Sequence, residues 1–159
     1  MVAEPLVIEF HETQRDTVVA RMVTMAGGHK GWVNLTPGLD VDIPPTPRSP
    51  LAGLFSARGP AVPLGTWSAP TTEREPATVG IQHGQGGQAV RQLAELGITL
   101  PDGWRRLQDH SKRGLVCAVP PTTDPAGLDS ALDWLLRATG ALCPVRRTGE
   151  WRALCFYAI

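Results

Sequence analysis

From Gln82 to Ala89 the chain reads QHGQGGQA, a histidine and three glycines between a strand-like run and a helix-like one. Glycines in such a turn let backbone N–H groups and the following helix N-terminus come close to a phosphate or carboxylate. Gln82, His83, Gly84, Gly86 and Gly87 are therefore the first candidates for a small-anion or nucleotide site. Gly84, Gly86 and Ala89 also fit the loose spacing G-x-G-x-x-A. Dinucleotide binding asks in addition for a parallel β-α-β unit and an acidic residue roughly 20 positions on. Asp102 and Asp109 bracket that position, but Asp102 lies in a PDG turn and too little chain follows for a doubly wound sheet. The competing reading is a tight strand-to-helix turn that needs positive φ.

Four basic residues, Arg105, Arg106, Lys112 and Arg113, gather near Trp104 and His110 on a segment that reads as a hairpin. Basic tips beside an aromatic can hold a nucleic-acid backbone, and they also serve as a solvated edge protected by charge. Fifteen basic residues balance fifteen acidic ones, so no global field draws the protein to nucleic acid or to an anionic membrane. For nucleophilic catalysis the residues available are Cys117 or Cys155 with His83 or His110, and no flanking signature marks them. The close ligand spacings of zinc sites are missing, so no metal and no cofactor is expected.

The elements that must position these residues alternate along the second half. Val79 and Ile81 mark a strand, and Gln88 to Leu96 a helix with Val90, Leu93 and Ala94 inward and Gly97 as its stop. Trp104–Gln108 and Leu115–Val119 flank the polar turn DHSKRG as hairpin strands do. Asp124-Pro125 opens a helix whose Leu128, Leu132, Leu135 and Leu136 form one stripe, and Trp151–Ile159 closes as a strand. This order predicts an α+β fold, a ferredoxin-like βαββαβ sandwich over residues 78–159. The last strand is apolar on both alternations, so its second sheet face is expected to be covered by the N-terminal elements, the proline-rich segment or a second subunit.

Upstream, Pro5–Phe10 reads as a strand, Thr13–Ala26 as a helix stopped by Gly27-Gly28, and Gly31–Thr36 as a strand, a βαβ-like segment over residues 1–36. Residues 37–76 hold nine of the fifteen prolines. Proline removes backbone donors and fixes φ, so this stretch is expected to wrap the body as a long loop without regular helix or sheet. A single domain of 159 residues follows, with the βαββαβ body at 77–159.

Composition narrows the setting. The chain is 42% hydrophobic and 19% charged, which suits a globular protein. Three cysteines without close spacing form no disulfide framework and point to a reducing compartment. The opening MVAEPLVIEFHE lacks a basic n-region, and no window approaches 18 apolar residues. A cytoplasmic protein without membrane association is expected.

The stretch GIQHGQGGQAVRQLAELGITLPDGWRRLQDHSKRGLVCAVPP, with the later WLLRA and TGEWRA, resembles a family of short uncharacterised bacterial proteins with no assigned activity. The resemblance implies a bacterial protein and transfers no functional residue. The residues themselves favour a non-enzymatic binding or interaction protein with a small-anion or nucleotide site at 82–88, whose other partners would be a protein or a second copy of the chain. The alternatives are a small transferase or hydrolase acting on an anionic substrate with His83 as general base, and nucleic-acid binding through the 104–113 hairpin.

Overall fold

A computed structural model describes residues 4–40 and 60–157. The strands are β1 (Leu6–His11), β2 (Trp32–Leu39), β3 (Leu64–Ser68), β4 (Ala77–Gln82), β5 (Arg105–His110), β6 (Gly114–Val119) and β7 (Arg147–Phe156). The helices are α1 (Asp16–Gly28), α2 (Ala89–Glu95) and α3 (Pro125–Ala141). All seven strands form one sheet in the order β1-β7-β2-β3-β4-β6-β5, and every pairing is antiparallel.

Local chemistry accounts for the helices. The α3 stripe of Leu128, Leu132, Leu135 and Leu136 is buried, and Asp124 accepts the Gly127 N–H at 3.3 Å with Pro125 in the first turn. In α1 the buried face is Val18, Val19, Met22, Met25 and Ala26. Gly27 and Gly28 do not stop this helix; they lie within it, and His29 ends it in the left-handed conformation at φ 55°. In α2 Leu93 and Ala89 are buried, whereas Ala94 is exposed rather than inward, because only the narrow flank of this short helix meets the sheet.

The helices share one face of the sheet. A side chain at Gly65 of β3 would run into Thr139 and Leu135 of α3, which places that strand directly beneath the helix. Val33, Leu35, Trp67, Val79, Ile81, Leu115, Cys117, Ala153 and Cys155 point the same way and make one core with the helices. Trp134 of α3 tilts against Trp104 with ring centroids 4.8 Å apart, and its Nε1 donates to the Thr99 carbonyl at 2.8 Å.

The ferredoxin-like expectation needs a correction in its sheet. Residues 77–156 keep the βαββαβ order, and β4 pairs with β6 and β6 with β5 as that sheet requires. The fourth strand does not close on β4: β7 pairs with β1 and β2, and the pair β2–β3 stands between β7 and β4. Inserting two strands preserves the antiparallel alternation, so the directions of β4 and β7 are those of the smaller fold. The crossover from β6 to β7 must span about 19 Å at roughly 4.8 Å per strand, and the 17 residues of α3 supply about 25 Å.

The N-terminal strand-helix-strand is present, but β1 and β2 join the same sheet instead of covering its second face. The proline-rich stretch is not free of regular structure: β2 runs through Pro37 to Leu39, and Leu64–Ser68 is a full strand. Proline is tolerated at Pro37 because the register with β7 shifts there. Residues 41–59 of the expected wrapping loop lie outside the described residues. Among the described residues no element lies over the second sheet face, and its apolar side chains shield one another. Trp32 of β2 stacks on Phe156 of β7 at 5.0 Å with 10° between the rings.

Candidate functional site

The glycine turn leaves β4 at Gln82, which is exposed on the open sheet face, and then folds His83 into the core. The His83 ring is 0% exposed. Its Nδ1 accepts the Gln85 N–H at 3.1 Å, so the ring hydrogen sits on Nε2, which is buried and has no partner among the described residues. Burial holds its pKa below the ordinary histidine value, with the negative charge of Asp109 opposing. The turn then uses positive φ at Gly86 (84°) and at Gln88 (62°). Gly87, between them, stays outside the left-handed region.

At the start of α2 the two N–H groups that an anion would use are already engaged. Asp109, projecting from β5, accepts the Ala89 N–H at 2.9 Å through Oδ1 and the Val90 N–H at 3.1 Å through Oδ2. The carboxylate that the sequence leads one to look for at this helix end is the chain's own.

The basic residues do not form one patch. Arg105 is paired with Ala118 and Arg106 with Cys117, and neighbouring strand residues point to opposite faces. Arg106 lies on the helix side, where its charge partly offsets the effect of burial and of Asp109 on Cys117. That thiol is pushed up to about 11 and is protonated at neutral pH, so it is no nucleophile. Burial likewise raises Cys155. Lys112 and Arg113 form the hairpin turn, held by their own N–H groups donating to His110 Nδ1 at 3.0 and 3.1 Å.

Gln82 and Arg113 do share one hollow. They border a groove of about 220 Å³ on the open face, over β3, β4 and β6. Register explains its shape. Thr66 lies opposite Gly80, which lies opposite Val116, so the missing side chain at Gly80 leaves a hollow between flanking strands. Thr66, Ser68 and Thr78 add hydroxyls to its wall, and Thr66 Oγ1 donates to Asn34 Oδ1 at 2.9 Å. A guanidinium, an amide and the Ser68 and Thr78 hydroxyls around a shallow hollow form a donor set suited to carboxylate or phosphate oxygens, the Thr66 hydrogen being already given to Asn34. A larger hollow of about 380 Å³ lies at the other end of the same face, but Arg152 on its wall is already paired with Glu9 at 2.9 Å.

The remaining candidates lie apart from this groove: Arg105 borders a hollow with Arg74 and Pro120, and Arg106 one with Gln88 and Asp109. The hydroxyls of β3 and β4 were not among the sequence candidates. Their signal is the alternation Thr66-x-Ser68 opposite Thr78-x-Gly80, which becomes visible only when LGTWS is read as a strand. Among the described residues, no three His, Cys, Asp or Glu side chains stand together as metal ligands. No described helix is long and apolar enough to cross a membrane.

Fold and groove together define an α+β protein built on one antiparallel sheet with helices on a single face. No family model, curated protein or solved structure matches the chain.

Proposed function

We propose that the protein is a non-enzymatic binding protein that takes a small anionic ligand in the open-face groove between Gln82 and Arg113. The observation that carries this reading is the position of Arg113: its guanidinium has no acidic partner among the described residues and borders a hollow lined with neutral hydrogen-bond donors. The site moves from the helix N-terminus, where Asp109 supplies the negative charge, to the opposite side of the same strand-to-turn junction. The transferase or hydrolase alternative is less well supported, because His83 is fully buried on the helix side and faces away from the groove. We read the sheet itself as a ferredoxin-like unit widened by the β2–β3 insertion, and the three free cysteines favour a reducing, cytoplasmic setting.

A thermal-shift panel of inorganic phosphate, nucleoside monophosphates, sugar phosphates and short carboxylates tests the reading. At least one class should stabilise the native protein. A hydrogen bond to a charged group contributes about 1.5–3 kcal/mol, so Arg113→Ala should weaken binding roughly 10- to 100-fold. Arg105→Ala should leave it unchanged. Equal binding by the Arg113 variant, or no response to any of these anions, removes the proposal.

A further inference from the structure

We propose that two copies of this chain pair antiparallel through the outer edge of β1, which no described strand covers, joining their sheets into one. The two sheet edges are built differently. The β5 edge carries Arg105 and Arg106 and a register shift at the exposed Leu107, devices that discourage further strand pairing. The β1 edge has no such shift: its six residues keep one unbroken register with β7, from Leu6 opposite Cys155 to His11 opposite Glu150, and Glu9 is the one Asp, Glu, Lys or Arg among them. Leu6 and Val7, adjacent and on opposite faces of this edge, are 39% and 53% exposed.

The backbone fixes which groups are offered. Glu12, opposite Gly149 in the same register, donates to the Gly149 carbonyl at 3.0 Å. By the alternation of an antiparallel ladder, Leu6, Ile8 and Phe10 exchange bonds with β7. Val7, Glu9 and His11 then present N–H and C=O outward. A two-fold axis normal to the sheet must run midway between a residue of β1 and its own copy, because paired residues share a face. An axis at Glu9 sets two carboxylates opposite each other, and one at Val7 leaves Val7 with Val7 as the single pair that exchanges both bonds, since Glu9 then faces Pro5, which has no N–H to give; an axis at Ile8 moves Pro5 out to His11 and leaves two such pairs. An axis at Ile8 pairs Val7 with Glu9 of the other copy through both of their outward groups. It also lines up Leu6 with Phe10 and Ile8 with Ile8 in one apolar row.

Charge favours a second copy as the occupant. The chain has a formal net charge of zero, so two copies meet without long-range repulsion. Val7, Leu154, Phe156 and Trp32 extend the apolar surface inward from this edge on the open face.

Sedimentation equilibrium up to millimolar chain tests the proposal. The native protein should be a dimer. Val7→Pro removes an outward donor while sparing the β1–β7 ladder, and Val7→Glu sets like charges opposite; each should weaken association at least tenfold, with circular dichroism confirming the fold. Val7→Lys, facing Glu9 of the other copy, should keep the dimer, as should Leu107→Glu on the opposite edge. A monomeric native protein, an assembly larger than a dimer, a dimer indifferent to both weakening variants, or one broken by Leu107→Glu overturns the proposal.

Discussion

His83 sets an acid limit on the fold. The native ring is neutral, and a proton on Nδ1 would confront the Gln85 N–H that it now accepts. Burial lowers the folded pKa below the ordinary 6.5, so below that pH the unfolded chain binds more protons than the native one. Stability from this residue is therefore full above pH 6.5 and falls as the pH drops toward the lowered folded value. The loss reaches at most about 1.4 kcal/mol per pH unit. His83→Leu should lower stability at pH 7, since the Gln85 bond is lost, yet flatten the decline between pH 6.5 and 5 in urea titrations. A decline as steep as that of the native protein would rule His83 out as its source. Asp109 acts on the neighbouring element: as the cap of α2 it satisfies two N–H groups, so Asp109→Ala should cost about 1–2 kcal/mol. An unchanged urea midpoint would mean that water replaces the carboxylate without loss.

Elements with a clear period were legible in the sequence. The stripes of α1 and α3, the β4 alternation and the β5–β6 hairpin all appear within a few residues of where pattern puts them. The strand that escaped, β3, has no such signal: LGTWS is flanked by Pro63 and Pro70, and its inward position Gly65 contributes no side chain to the alternation. Gly65 is small because α3 packs on it, a reason that no local pattern contains. Without β3 the topology reduces to the smaller sandwich and the groove hydroxyls remain invisible. The candidate site was therefore half legible, Gln82 and Arg113 through composition, Thr66 and Ser68 not at all. The hairpin has its own steric test at Gly114, which has φ 85° and whose absent side chain would run into the Ile81 carbonyl. Gly114→Ala adds left-handed strain of about 1–2 kcal/mol to that collision. We expect a loss above about 2 kcal/mol by chemical denaturation, and a smaller loss would show that the β4–β6 seam yields.

Across the whole molecule the last strand in sequence is an interior strand in space. β7 stands between β1 and β2, so the first strand has no other partner among the described strands and the β1 end of the sheet cannot close until residues 147–156 are in place. Trp151, Ala153 and Cys155 are buried against β1, β2 and the helices, and removing them would uncover Val33, Leu35 and Phe10. Pairing the two ends of a chain is costly in loop entropy and slows folding, so the N-terminal strand should gain protection only with the final one. A chain ending at residue 146 should lose its cooperative unfolding transition altogether, and should not behave as a stable body with a frayed N-terminus. In the full chain, pulsed hydrogen exchange during refolding should protect Leu6, Ile8 and Phe10 together with Ala153 and Cys155. If β1 is protected before β7, or the shortened chain unfolds in a sharp single transition, the sheet is assembled from the β4–β6 side without its last strand and the interior position of β7 is incidental to stability.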